Sequence, residues 1–250
     1  MRKIDRTGET GYNNYGSEMR ITRCRNSKDI DIYFPEYEWT STNKTYSQFK
    51  SGKVICPYER RICDIAYTGE GRYATTVNGK HTLYYKIWHA MITRCYNSNF
   101  HKHNPTYNNC TVCEDWHNFQ NFAEWCEDNY YSIPNETMEL DKDILVKNNR
   151  EYGPDKCVFV PHKINSLFLK PTTNNRDLPT GVHYDRGKYV ASINIGRYIH
   201  IGSFDTPQEA FQAYKQYKEH YVKAIADSYR ELIPNKLYNA MYEYEVEIDD

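Results

Sequence analysis

The sequence lacks the apolar segments that would place it in or across a membrane. No stretch approaches the roughly 20 consecutive apolar residues of a membrane-spanning helix, and the N-terminal segment MRKIDRTGET has no apolar core of a secretory signal. We therefore expect a cytoplasmic protein without a membrane partner. In that compartment its eight cysteines should be reduced, buried or metal-bound, and not paired in disulfides.

The net charge is also close to zero, because the sequence has 32 Lys and Arg residues and 33 Asp and Glu residues. The total conceals an uneven distribution: residues 1–80 are basic, whereas residues 81–139 and 234–250 are acidic. No segment is strongly basic, so electrostatic attraction alone predicts only modest, salt-sensitive binding to DNA. The acidic segments suit either a surface that competes with DNA or ordinary solvated helix faces.

The patterning predicts a multi-domain α+β protein that begins with a small β-rich module at residues 1–75. Met19–Arg25 and Asp29–Pro35 alternate between apolar and polar residues, as half-buried strands do. Apolar residues around Tyr46–Phe49 and at Lys53–Cys56 predict a third and a fourth element. The role of this module stays open between protein contact, structural support and DNA binding.

A second block, residues 80–177, mixes helices and strands. Apolar spacing predicts two helices, Leu83–Tyr96 and Asn118–Asn129. Leu140–Leu145 follows these helices, and Cys157–Val160 is a predicted strand. The block ends in a linker, Lys170–Thr180, whose two prolines and few apolar residues suit a connection between domains.

The third block, residues 178–233, predicts a three-stranded antiparallel sheet packed on one helix. Ala191, Ile193 and Ile195 alternate with polar residues, and the helix that opens at Thr206-Pro207 carries apolar residues at helical spacing. One sheet face is thus apolar and covered, and the other is polar and free. Residues 234–250 add a further helix and an acidic tail.

The third block resembles the APETALA2-type DNA-binding domain of phage homing endonucleases and plant transcription factors. The matching motifs are a Gly-Val opening at Gly181, the Gly-Lys-aromatic start of a strand, the Ile-Gly-Ser-Phe-Asp-Thr connection and the Glu-Ala-x-x-Ala-Tyr helix. The resemblance implies that the free sheet face enters the major groove of double-stranded DNA. The implied DNA-binding residues are His183, Arg186, Lys188, Ser192, Asn194, Arg197, Tyr198 and His200. Several plant members have Arg or Trp at positions where this chain has Ser, Asn, Tyr or His, so the target sequence does not transfer.

The second block resembles the HNH, or ββα-metal, endonucleases of phages and mobile introns. The resemblance runs through YKIWHAMITRCYN, TVCEDWHNFQNFAEW, LDKDI and YGPDKCVFVPHKIN. In that family a strand and a helix hold one divalent metal, and an adjacent His deprotonates water. The resemblance places the metal ligands at Asp141 and Asn165, whose oxygens suit Mg²⁺ or Mn²⁺.

Two departures from that family concern catalysis. The position of the general-base His is Lys142, and the position of a helper Asn is Lys156. A lysine is mostly protonated near neutral pH and cannot accept a proton unless it is strongly desolvated. His162 could substitute as the base, or it could be structural. We therefore expect a degraded or weak nuclease site.

The cysteines offer a separate possibility. Cys110-x-x-Cys113, with Cys95 upstream and histidines between, could bind Zn²⁺. A single CxxC motif without a second pair is a weak zinc signal, and buried structural cysteines are the competing interpretation.

Together the resemblances predict a phage or mobile-element DNA-binding protein of the homing-endonuclease type, which acts in the cytoplasm of the host cell. The alternative is a non-enzymatic phage protein that binds and inhibits a host protein such as a defence nuclease.

Overall fold

The computed structural model describes residues 4–169 and 178–248, which form an α+β protein. The chain divides into two compact units, residues 1–128 and residues 129–250. The predicted 80–177 block is therefore shared between the two units, and most of its predicted linker lies outside the described residues. None of the helices in the described part of the chain has the length and hydrophobicity that crossing a bilayer requires.

The first unit begins with a four-stranded antiparallel sheet in the order β1-β2-β3-β4. Its strands are β1 (Thr10–Tyr12), β2 (Glu18–Asn26), β3 (Asp29–Phe34) and β4 (Trp39–Lys44). A short helix, α1 (Tyr46–Lys50), follows, and a capping box between Thr45 and Gln48 fixes its start. The β-rich module is thus confirmed as an antiparallel sheet with one helix.

One predicted element of this module is wrong. Lys53–Cys56 has no regular secondary structure, whereas β4 supplies the strand that the alternation missed. Val54 and Cys56 are buried in the same apolar cluster as Ile21, Ile32 and Phe34. Their alternation therefore comes from an extended segment with one side against the core, which gives the same pattern as a strand.

The remainder of the first unit is mainly helical. Its elements are β5 (Thr76–Val77), β6 (Lys80–His81), α2 (Leu83–Tyr96), α3 (Ser98–His103), β7 (Thr111–Val112) and α4 (Phe119–Asn129). The two predicted helices are confirmed as α2 and α4. Trp88 of α2 and Trp116, which precedes α4, are fully buried, and the indole of Trp88 donates to the Trp116 carbonyl oxygen at 2.7 Å.

The second unit contains a small two-stranded sheet, a larger three-stranded sheet and the longest helix of the described chain. Its elements are β8 (Met138–Asp141), β9 (Glu151–Tyr152), β10 (Val158–Pro161), α5 (His162–Asn165), β11 (Val182–Asp185), β12 (Lys188–Asn194), β13 (Tyr198–Phe204), α6 (Pro207–Ser228) and α7 (Asn235–Tyr242). Strand β8 pairs antiparallel with β10, and β12 pairs with β11 on one side and β13 on the other. The predicted three-stranded sheet followed by a helix is confirmed.

The N-terminal half of α6 covers one face of the three-stranded sheet. Helix α6 begins at Pro207, after a capping box formed by Thr206 and Glu209. Its residues Phe211 and Tyr214 are buried in a cluster that includes sheet residues such as Val182, Ala191 and Ile193. Gly181 approaches the Tyr214 ring so closely that a Cβ there would lie 2.1 Å from it, and its φ of +73° also favours glycine.

The C-terminal half of α6 packs into a second cluster. Val222 and Ala226 are buried there with Val158 and Val160 of β10 and Ile164 of α5. Helix α7 contributes further apolar side chains to the same cluster. One helix of 22 residues therefore packs against both the β8–β10 sheet and the three-stranded sheet.

Candidate nucleic-acid interface

The face of the three-stranded sheet that points away from α6 carries a strip of polar side chains. Ser192 of β12 lies opposite His200 of β13, and Asn194 lies opposite Tyr198. His183 joins from β11, where its neighbour on β12 is Val190. Because directly opposed residues of an antiparallel pair share a face, these polar side chains form one surface. The placement agrees with the alternation in the sequence.

The strip is accessible to solvent, and the hydrogen-bond contacts between its side chains are long. His183, Asn194, Tyr198 and His200 are exposed, and Ser192 is half-buried. The Ser192 hydroxyl lies 3.5 Å from Nδ1 of His183. At that distance the contact is weak, so both groups keep hydrogen-bonding capacity for a ligand.

A β-bulge adds one polar residue that the sequence did not predict. The pairing of β12 with β13 shifts register between Ala191 and Ser192, so Ser203 lies opposite Val190 while His200 lies opposite Ser192. The Ser203 hydroxyl is 3.4 Å from Nε2 of His200. Strict alternation from His200 would have placed Gly202 on this face, and a bulge has no clear signal in a single sequence.

Positive charge flanks the strip at two turns. Arg186 and Gly187, both with positive φ, form the two-residue turn between β11 and β12, which is the geometry of a type I′ hairpin. Arg197 lies in the turn that joins β12 to β13. Both arginines are exposed, and neither forms an ion pair within the described residues. Lys188, the third predicted cation, forms an ion pair with Asp205.

The predicted metal-binding region consists of β8, β10 and α5. Asn165 of α5 donates its amide to Oε2 of Glu139, at 2.6 Å, and His162 Nδ1 lies 2.8 Å from the other oxygen of Glu139. An ionised carboxylate only accepts, so Nδ1 of His162 is the donor in this contact. Glu139 is the acidic residue that the sequence prediction missed. Its position two residues before Asp141, on the same face of β8, was the available signal.

The Asp141 side chain stabilises the turn that follows it. Its Oδ1 accepts the backbone N–H groups of Asp143 and Ile144 at 2.8 and 2.7 Å. Burial, and to a smaller extent the nearby Asp143 carboxylate, raise the pKa of Asp141 to about 6 against the opposing effect of those hydrogen bonds. Asp141 and Asn165 thus have separate protein partners, a turn and Glu139 respectively.

The two lysines at the predicted catalytic positions each contact a carboxylate. Lys142 is buried, and its ammonium group donates to Asp143 at 2.8 Å and to the Asn149 carbonyl oxygen at 3.2 Å. Lys156 forms an ion pair with Glu151. These contacts stabilise the charged form, so neither lysine is suited to accept a proton from water.

The donor set does not fit a ready-made metal site. No group of three or more His, Cys, Asp or Glu side chains within the described residues is arranged to hold a metal ion. At the two predicted Mg²⁺ or Mn²⁺ ligands, the contacts described above use Oδ1 of Asp141 and the amide nitrogen of Asn165. Cys95 and Cys110 are buried and Cys113 is half-buried, and within the described residues these thiols belong to no such group.

The raised pKa of Asp141 predicts a pH-dependent stability. An ordinary aspartate has a pKa of 3.8, so Asp141 binds its proton more tightly in the folded state than in the unfolded state. Between about pH 4 and pH 6 the folded protein therefore carries more protons than the unfolded protein. Stability should therefore fall as the pH rises through that window and stay lower above it. The variant Asp141→Asn keeps an acceptor for both backbone N–H groups but does not titrate. Relative to this variant, the free energy of unfolding of the wild type should fall by up to about 3 kcal/mol across the window. Chemical denaturation of both proteins across this range measures the difference. A constant difference would show that Asp141 titrates normally.

Comparison with known protein families, with curated proteins and with solved structures finds no match in any of the three. The two family resemblances therefore rest on sequence motifs alone, and the geometry of the second unit is the basis for a functional proposal.

Proposed function

We propose that this protein binds double-stranded DNA through the outer face of its three-stranded sheet. The observation that carries the proposal is the polar strip itself: six side chains with hydrogen-bonding groups, Ser203 included, lie on one face, opposite the face that α6 covers. A two- or three-stranded β-ribbon fits the major groove, where base edges present donors and acceptors. Histidine, serine, asparagine and tyrosine can pair with those edges.

The two turn arginines supply the complementary contribution. Arg186 and Arg197 lie at turns beside the polar strip and are exposed, which suits contacts to phosphates. With so few cations, nonspecific attraction is modest, and base contacts from the strip must supply much of the binding free energy. The net charge of −1 agrees with such a binder better than with one that relies on charge alone.

The proposal includes a nuclease-like region without efficient catalysis. In this account β8, β10 and α5 are the remnant of a ββα-metal unit. Lys142 and Lys156 are held as cations by Asp143 and Glu151. A missing general base alone costs about 10²–10⁴-fold in rate. The region therefore contributes to the stability of the second unit, through the cluster that α6 shares, rather than to rapid cleavage.

Neutralising the turn arginines should weaken duplex binding in a salt-dependent way. Arg186→Gln and Arg197→Gln each remove one predicted phosphate contact. Each should reduce the slope of log affinity against log salt by about one. Fluorescence anisotropy of a labelled duplex, titrated at several salt concentrations, measures both affinity and slope.

Lys223→Gln is the matched control, because Lys223 lies on α6 and its ammonium group faces the Tyr242 ring of α7. This variant loses the same charge from the same unit and should keep the wild-type slope. Equal slopes for all four proteins would refute the assignment of the turns. Absence of any duplex affinity at low salt would instead favour the host-protein inhibitor.

The nuclease part of the proposal predicts little or no nicking of supercoiled plasmid with Mg²⁺ or Mn²⁺. Lys142→His should not restore cleavage, because it removes the buried ammonium group that joins Asp143 to the Asn149 carbonyl oxygen. The imidazole cannot reproduce these contacts, so a loss of stability of about 1–3 kcal/mol is expected. Robust metal-dependent nicking by the wild type that disappears in Asp141→Ala would contradict this part of the account.

A further inference from the structure

A groove of about 1160 Å³ borders the polar strip in the second unit. Its walls come from α5 and the residues that follow it, from β11 and β12, and from the middle of α6. Three residues of the strip, His183, Ser192 and Asn194, also line the groove. The groove is therefore continuous with the proposed duplex-binding face.

The lining has a composition that favours an anion. It contains two lysines, Lys163 and Lys218, and two histidines, His162 and His183, while none of the described residues that line it is Asp or Glu. Glu139 contacts His162 from outside the lining. This composition contrasts with the chain as a whole, in which acidic residues slightly outnumber basic ones. Charge complementarity thus points to a phosphate-bearing occupant.

The same lining offers aromatic surface. Tyr184 is 59% exposed, and Tyr221 of α6 is half-buried at the groove. Apolar side chains such as Ile193 and Leu167 lie beside them. Cationic side chains along a groove with aromatic rings between them are the combination that binds single strands, because every base can stack on a ring while the lysines meet the backbone.

We propose that this groove binds a short single strand of DNA that continues from a duplex held on the sheet face. The groove volume is slightly above the range of small-molecule pockets, so it admits a few nucleotides but not a double helix. This inference rests on the proposed function, because the strand enters from the duplex-binding face. It adds a substrate class: the protein recognises a junction between duplex and single-stranded DNA.

The experiment compares a blunt duplex with the same duplex carrying a single-stranded extension of about four to six nucleotides, the lower end of single-strand site sizes. Extensions on the 5′ and 3′ ends are tested separately, because the direction of entry depends on how the duplex lies on the sheet. At least one extended duplex should bind at least about fivefold more tightly than the blunt duplex, the gain expected from one stacked base.

Variants of the groove should remove this gain and leave the blunt-duplex affinity unchanged. Tyr221→Ala removes a stacking ring, whereas Tyr221→Phe keeps it and should retain the gain. Lys163→Gln, at an exposed position, should lower the gain and its salt dependence. Lys223→Gln, which lies outside the groove lining, is the charge control. Thermal denaturation confirms that each variant folds, and Lys163→Gln keeps the test decisive if Tyr221→Ala does not.

The outcomes separate this inference from the proposed function. Duplex binding with no gain from either extension overturns the groove proposal and leaves the sheet face as the binding surface. A gain that survives both Tyr221→Ala and Lys163→Gln also overturns it, because the strand would then lie elsewhere. Single-strand binding that depends on Tyr221 and Lys163, without duplex binding, supports the groove and refutes the duplex proposal.

Discussion

The second unit depends on one helix that packs into two apolar clusters. The first half of α6 buries Phe211 and Tyr214 against the three-stranded sheet, and the second half buries Val222 and Ala226 against β10, α5 and α7. A domain as small as one three-stranded sheet and half of a helix buries a small fraction of its surface and is marginal by itself. Because α6 extends beyond the sheet into a second cluster, the sheet is attached to a larger folded body, and its opposite face can stay polar and exposed without loss of the fold.

Because α6 stabilises the sheet from one face, the other face is available as the proposed binding surface. The type I′ turn at Arg186-Gly187 sets the register of β11 against β12, and the register decides which side chains face outward. The bulge beside Ser192 then brings Ser203 to the same face as His200. Sheet geometry, more than net charge, is what concentrates hydrogen-bonding groups on one side. The groove beside the strip extends the same surface with cationic and aromatic side chains.

Regular, strongly periodic elements were predictable from the sequence, and departures from periodicity were not. Helix α2 was predicted with its observed bounds, and the alternation along β12 gave the correct outward face. The extended segment Lys53–Cys56 imitates a strand because it also buries alternate residues, and Ser203 was missed because a bulge breaks alternation. Glu139 was not predicted because the family resemblance points to Asp141 alone, although the spacing of two residues places both carboxylates on one strand face. The division after residue 128 has no compositional signal, since helices and strands alternate across it.

Histidine side-chain NMR tests the central claim, that the outer sheet face is the duplex-binding surface, most directly. His183 and His200 lie on that face, whereas His220 is exposed on α6, the helix that covers the opposite face. Addition of duplex DNA to the ¹⁵N-labelled full chain should shift the ring resonances of His183 and His200 and leave those of His220 unchanged. Shifts confined to His220, or no shifts at duplex saturation, would show that DNA binds elsewhere and would contradict the account.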